Sequence, residues 1–254
     1  MKPSNRQQHI LARLRAVPQE WRVEDLAAAM NVSPLTIRRD LDVLAASGTI
    51  VRTLGGCLAL TRVQNTVYQS RVEAQFDLKQ AIGREAAREV QSGNSILIND
   101  GSTTFHMASH LGECGRVSVY TNSVAMISEL SRFPNLHIYL LGGEYQTSLF
   151  YLGGSLMERV LEMIEVDLAF MGADAIDATG RCLAVDQDTA RIAQLMLRRA
   201  RRRILLADHT KLTMTSQVVF GSVKDFHVWI TSSGADPDTL SSLRSLTTIK
   251  EIQA

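Results

Sequence analysis

The chain has 254 residues, 45% hydrophobic and 21% charged, enough for two globular domains with their own cores and outside the range of disordered or fibrous chains. The formal net charge is only +1, but residues 1–60 hold eight Lys or Arg against five Asp or Glu, while the remainder holds 19 against 21. A basic small module joined to a mildly acidic larger one suits a nucleic-acid binder that carries a second, non-nucleic-acid domain.

The three cysteines, Cys57, Cys114 and Cys182, lie far apart without Cys-x-x-Cys spacing, which points to a reducing compartment and no disulfide framework. No apolar run reaches the length of a membrane span, and the first residues lack the apolar core of a signal peptide, so the expected location is the cytoplasm, with no membrane partner.

In chain order, Ile10, Leu11 and Leu14 make an apolar stripe at helical spacing, predicting a helix over 5–16 that Pro18 stops. A short helix is expected over Val23–Met30, then a tight turn at Asn31-Val32. The third helix has the clearest start: Ser33 as N-cap, Pro34 at the first helical position, and Ile37, Leu41 and Leu44 on one inner face, with Gly48 as the stop. Ile50–Leu54, Gly55-Gly56 and Cys57–Leu60 read as two short strands around a turn. Residues 61–78 lack a period and read as a linker, leading to a helix over Lys79–Val90. Strands are predicted at Ser95–Asn99, Val117–Thr121, His137–Leu141, Asp167–Met171, Arg203–Ala207 and His227–Thr231, with helical patterns between most of them. Short apolar strands alternating with helices predict a parallel sheet covered on both faces.

The resulting division is a winged helix-turn-helix domain at 4–60 (helix-turn-helix about 21–40), a linker at 61–78 and an α/β domain at 79–254. In a winged helix-turn-helix the third helix enters the major groove. Ser33, Leu35, Thr36, Arg38 and Arg39 crowd the outward N-terminal part of that helix, and Arg52 falls on the wing. Arginine offers two donors to guanine edges or phosphates, and Thr36 can meet a thymine methyl or a phosphate. The plainer reading is that Arg38 and Arg39 are solvated helix charges, one of them pairing with Asp42.

The stretches Arg6-Gln7-Gln8-His9-Ile10-Leu11, Val23-Glu24-Asp25-Leu26-Ala27, Val32-Ser33-Pro34-Leu35-Thr36-Ile37-Arg38-Arg39-Asp40-Leu41 and Arg52-Thr53-Leu54-Gly55-Gly56-Cys57 resemble the DeoR family of transcription regulators. The family's wing usually ends His-Gly-Gly-Ala; Leu54 and Cys57 stand here instead, so no wing contact through a histidine carries over.

In the larger domain, Ser95–Asn99 runs into Asp100-Gly101-Ser102-Thr103-Thr104, a strand, a small polar loop and a helix start. Backbone N–H groups and hydroxyls in such a loop suit an anion, although the same pattern also makes an ordinary capped turn. Thr121-Asn122-Ser123, Leu141-Gly142-Gly143, Gly172-Ala173-Asp174 and Asp208-His209-Thr210-Lys211 follow other strands. Open α/β sheets bind ligands outside the carboxyl ends of their strands, so these clusters point to one site. Its candidate residues are Asp100, Gly101, Ser102, Thr103, Thr104, Asn122, Gly142, Gly143, Asp174 and Lys211, with Lys211 as the counter-charge for a phosphate and Asp100 or Asp174 accepting sugar hydroxyls.

These stretches also resemble the DeoR family's sensor domain. Arg71 and Lys79 stand where the family has Arg and Lys ahead of the first sensor helix. The resemblance implies a Rossmann-like fold akin to ribose-5-phosphate isomerase and the coenzyme A transferases. It also implies a phosphorylated sugar or polyol as effector, a double-stranded DNA operator as partner and a homodimer or homotetramer. Two departures bear on the effector. Thr189 and Ala193 replace the Glu and Lys of the family's Glu-Ala-x-x-Lys, and Thr231-Ser232 replaces Thr-Asp. No catalytic residue, cofactor or metal is expected; His106 and His110 have a zinc-compatible spacing but no third ligand nearby. The competing class is an isomerase-like or acyl-transferase-like enzyme with an appended DNA-binding module, which needs a carboxylate placed to move a proton beside a phosphate anchor.

Overall fold

The computed structural model describes residues 3–16, 21–46, 50–53, 55–59 and 66–253. The chain divides into two compact units, Met1–Asn65 and Thr66–Ala254.

The first unit contains helices α1 (Pro3–Ala16), α2 (Val23–Met30) and α3 (Pro34–Ala46) and strands β1 (Trp21–Arg22), β2 (Ile50–Arg52) and β3 (Gly56–Ala59). Pro18, Gly48, Leu54 and Leu60, each given a role by the sequence pattern, lie outside the described residues. The Asn31 turn holds a left-handed conformation (φ 51°), the geometry expected between two close helices. Ser33 caps α3 as its pattern implies: its Oγ accepts from the Thr36 N–H at 3.2 Å. Ile10, Leu14, Val23, Leu26, Ile37, Leu41, Leu44, Ile50 and Cys57 close one core. The wing is three-stranded, not two, in the order β1-β3-β2 and antiparallel throughout. The added strand explains Gly56, where a Cβ would lie 2.0 Å from the Trp21 carbonyl oxygen.

The second unit opens with α4 (Thr66–Glu73) and α5 (Phe76–Ala87). The segment read as linker is therefore helical from Thr66, and residues 61–65 lie outside the described residues. α4 has almost no amphipathic period; tertiary packing makes it helical. Tyr68 is buried between the Phe105 and Phe150 rings, with centroids at 6.4 and 5.7 Å. Gln75 takes a left-handed conformation (φ 56°) and separates the two helices.

Then follow β4 (Ser95–Ile98), α6 (Ser102–Met107), β5 (Val117–Thr121), α7 (Val124–Leu130), β6 (Leu136–Leu140), the hairpin β7 (Glu144–Gln146) and β8 (Tyr151–Gly153), α8 (Gly154–Glu162) and β9 (Val166–Met171). The chain continues through β10 (Ala175–Ile176), β11 (Arg181–Ala184), α9 (Gln187–Arg198), β12 (Ala200–Leu206), β13 (Val218–Ser222), β14 (Val228–Ser232), α10 (Pro237–Arg244) and β15 (Thr248–Ile252). Seven strands form one parallel sheet in the order β15-β14-β12-β9-β4-β5-β6. All six predicted strands are present. β15 and the small antiparallel sheet β10-β11-β13 are additions.

Burial on both faces follows the two-residue strand period. Ile96, Ile98, Leu168, Phe170, Ile204, Leu206, Val228 and Ile230 face the core under α5, α6 and α7. Leu97, Ala169, Met171, Leu205 and Trp229 face the opposite core under α8, α9 and α10. The basic run at 198–203 lies mostly on β12, where Arg202 pairs with Glu89 at 2.8 Å and Arg203 donates to the Asp225 carbonyl at 2.6 Å.

Candidate DNA-reading helix and effector pocket

In the first unit, α3 separates two chemistries by its helical period. Ile37, Leu41 and Leu44 are buried, whereas Leu35, Arg38 and Arg39 are exposed. Ser33 and Thr36 bind each other through their hydroxyls at 2.9 Å at the helix start. Arg38 stands 3.8 Å from Glu24 of α2, and Arg39 makes no ion pair among the described residues. Asp42 does not pair with either of them. Its partner is Arg52 of the wing, at 2.7 Å, and the same Arg52 nitrogen donates to the Arg38 carbonyl at 3.1 Å. Arg52 thus ties β2 to α3. Behind the exposed face, Asp40 is 3% exposed and receives two bonds from Arg6 (Nε at 2.5 Å, Nη2 at 3.2 Å) and one from Gln7 at 3.2 Å. The Arg6–Asp40 brace has no period or turn signal, so sequence reading gave it no role.

In the second unit, consecutive strands run outward from β4 to β5 and β6, then return to β9 on the other side of β4. The sheet's switch point therefore lies between β4 and β9, where the two strand-end loops diverge and leave a crevice. A pocket opens there, lined by Tyr68, Arg71, Asn99–Thr103, Leu149, Gly172–Asp174, Leu183, Ala184, Thr189, Ala193 and Phe220. Asn99 joins the two loops: its Oδ1 accepts from Gly172 N–H at 3.0 Å and from the Thr104 hydroxyl at 3.2 Å.

Of the ten predicted ligand residues, Asp100, Gly101, Ser102, Thr103 and Asp174 line the pocket. Thr104 lies beneath it, its hydroxyl donating to the Asn99 carbonyl at 2.8 Å. Asn122 is fully buried and donates to Asp100 at 3.0 Å, so it positions the carboxyl. Gly142 and Gly143 are not in the wall. Gly143 (φ 151°) lets the chain after β6 fold back against β8, where a Cβ would meet the Gly153 carbonyl oxygen at 2.3 Å.

Lys211 is not in the wall either: it is 8% exposed and belongs to a cluster with Lys79 and with Arg71, which is in the wall. Arg71 pairs with Asp174, whose other oxygen accepts from Val185 N–H at 2.9 Å. Lys79 donates to the Arg71 carbonyl and to Ser102 Oγ, the latter at 3.2 Å. Burial and the Lys211 charge pull the Lys79 ammonium down to about 8, with Asp208 opposing. Lys211 is also lowered, again by burial first. Asp100 moves the other way: burial holds its carboxyl above the usual range, with the Asn122 bond opposing. Arg71, Lys79 and Lys211 thus share the site with three carboxyls, Asp100, Asp174 and Asp208, of which Asp174 is already paired with Arg71.

Thr189 and Ala193, which replace the Glu and Lys of the family's Glu-Ala-x-x-Lys, both face this pocket. Ser232, which replaces the Asp of Thr-Asp, sits with its Oγ 2.8 Å from His209 Nδ1. Tyr68, Leu149, Leu183 and Phe220 were missed because each reaches the pocket from a different element, and no local spacing links them. The His106 and His110 pair is absorbed by hydrogen bonds to Val72 and Gln80, and no metal-binding group of three or more His, Cys, Asp or Glu side chains occurs among the described residues.

Fold and geometry together define a DNA-binding regulator: a winged helix-turn-helix unit and an α/β unit with a polar pocket at its switch point, Arg71 in the wall and Lys79 and Lys211 next to it. Residues 6–63 match the DeoR-like helix-turn-helix domain and residues 74–233 match the DeoR C terminal sensor domain. The chain belongs to the DeoR family of transcriptional regulators. It is 31% identical over 224 residues to the HTH-type transcriptional regulator GlpR of Haloferax volcanii, covering 88% of each chain. It is 30% identical over 203 residues to the glycerol-3-phosphate regulon repressor of Escherichia coli, covering 79% of each. Among solved structures, a ribose 5-phosphate isomerase from Methanocaldococcus jannaschii is similar over 54% of each chain, with 21% identity and a TM-score of 0.40.

Proposed function

We propose that the protein represses a carbohydrate-metabolism operon and that a phosphorylated sugar or polyol in the pocket controls its operator affinity. The observation that carries this reading is the gathering of Arg71, which lines the pocket, with Lys79 and Lys211 next to it, beside Asp100, Asp174 and Asp208. A phosphate meets the cations; the Asp100 and Asp174 carboxyl groups and Ser102 serve the hydroxyls of its carbon chain. The name of the Escherichia coli relative, a glycerol-3-phosphate regulon repressor, supports a small phosphorylated polyol or sugar as the chemical class.

α3 is the reading helix, with Leu35, Arg38 and Arg39 toward base edges and phosphates. Ser33 and Thr36 set its first turn, and Arg52 holds the wing against it. Two copies bind paired half-sites, in the cytoplasm. The effector acts only so far as its affinity differs between the DNA-competent and incompetent states. The protein is not an enzyme in this reading. Asp174 is held by Arg71 and Val185, and Lys79 by Arg71 and Ser102, which leaves Asp100 as the carboxyl that an enzyme would have to use.

The test has two arms. Operator sequences are selected from a random pool of double-stranded DNA, and their binding is followed by fluorescence anisotropy with and without each of a panel of sugar and polyol phosphates. The same panel is run in thermal shift, where a ligand of the native state raises the melting temperature. Equal operator affinity with and without a saturating, stabilising ligand removes the switch. Turnover of any panel member restores the enzyme reading.

A further inference from the structure

β6 ends the seven-stranded sheet on one side and β15 ends it on the other. A terminal strand presents unpaired backbone groups, and proteins protect such edges with charge, proline or a bulge. β15 is protected in this way: Lys250 pairs with Glu85 at 3.7 Å and with Glu89, and Glu251 pairs with Arg244. β6 is not protected. Its residues are Leu136, His137, Ile138, Tyr139 and Leu140, with no Lys, Arg, Asp, Glu or Pro, and its register with β5 is unbroken over all five.

The side chains there are those of a contact surface. Tyr139 is 38% exposed and Leu140 42% exposed. The Tyr139 ring stacks on Tyr120 of β5 (centroids 4.5 Å apart, planes 6° apart), with the His137 ring 4.6 Å away. This is a preordered aromatic shelf on the sheet face opposite the α7 side. Aromatic groups are enriched and charged groups depleted at the centres of protein interfaces.

We infer that β6 is the contact by which two copies of this chain join, pairing antiparallel about a two-fold axis at Ile138 so that the sheet continues from one copy into the other. A two-fold contact sets each patch against itself, so a strand with like charges at its facing positions would repel its own image and an uncharged one does not. The axis sets His137 of one copy against Tyr139 of the other, twice. The inference rests on the proposed paired half-sites for the expectation of a second copy; the surface itself is argued from the two edges of the sheet.

The test compares two double variants of the full chain by light scattering across a dilution series. His137→Lys/Tyr139→Lys places lysine against lysine at both positions and should weaken assembly by about a hundredfold or more. His137→Lys/Tyr139→Glu alters the same two exposed positions but places opposite charges together, and should keep the native assembly. Unchanged mass for the first variant, or equal loss in both, overturns the inference. Hydrogen exchange on the native chain is the second measurement: amides of residues 136–140 should become more protected as concentration rises, and protection that ignores concentration overturns the inference without any variant. A native chain that is monomeric at every concentration removes the paired half-sites as well. A native chain that assembles, with a first variant that assembles equally, removes only β6 as the contact.

Discussion

Arg6→Ala isolates the contribution of the brace behind the reading helix. Asp40 is 3% exposed, and Arg6 gives it two hydrogen bonds from one guanidinium. Removing one partner of a buried ion pair costs about 3–5 kcal/mol, because the remaining charge keeps its desolvation penalty. Gln7 still donates to Asp40 at 3.2 Å, which favours the lower end, about 3 kcal/mol. A unit of this size holds roughly 3–9 kcal/mol of stability in all. The loss should therefore lower its melting temperature by about 15 °C or more.

The two tryptophans make the measurement specific. Trp21 lies in the first unit, while Trp229 is buried in the second and donates to the Ala207 carbonyl at 3.0 Å. In a Trp229→Phe background, tryptophan fluorescence reports the first unit alone. Arg6→Ala should shift that transition strongly and leave the second unit's melt, followed by circular dichroism, within a degree or so. A shift worth less than about 1 kcal/mol would put Arg6–Asp40 among surface ion pairs and refute the reasoning.

Three further outcomes are expected. Arg38→Ala and Arg39→Ala should each weaken operator binding by about 1–3 kcal/mol where a base is read, or lower the salt slope by about one where a phosphate is met, with ligand-induced thermal shifts unchanged; anisotropy at several salt concentrations separates the two cases. Lys211→Ala should reduce the thermal shift given by the best phosphate ligand and leave ligand-free operator affinity intact; loss of a charge-assisted bond is worth about 1.5–3 kcal/mol, or at least tenfold in Kd, by calorimetry. Ligand affinity should also fall as pH rises through about 8, where unliganded Lys79 loses its proton. A bound anion favours the ammonium, so binding takes up a proton near that pH. Calorimetry in buffers of different ionisation enthalpy should show this uptake, and affinity that is flat from pH 7 to 9.5 would count against Lys79 as a phosphate partner. In the free protein the sign is opposite: the Lys79 value is depressed on folding, so its contribution to stability improves between about 8 and the ordinary lysine value and is lowest below that window.

The amino-acid pattern alone determined the two-unit plan, the three helices of the first unit, the Ser33 cap and all six predicted sheet strands. These features are governed by interactions a few residues apart: helical and strand periods, a capping hydroxyl, a turn residue. Asp100–Thr103 and Asp174, grouped by the rule that strand ends in a parallel sheet share an edge, line one pocket, whereas Gly142, Gly143 and Lys211 of the same group are not in its wall.

Tertiary structure decided the rest. α4 is helical because Tyr68 packs on Phe105 and Phe150, rings far away in the chain. Arg52 chose Asp42 and the Arg38 carbonyl because the wing folds back on α3, and Asp40 found Arg6, 34 residues away. Which groups form the pocket wall, and which only hold it in place, depended on how loops from separate strands meet. Charge followed the same rule: the low Lys79 value comes from burial and from Lys211, distant in sequence and adjacent only after folding. Local pattern is sufficient where the energies are local; the pocket's chemistry is set by neighbours brought together by the sheet order.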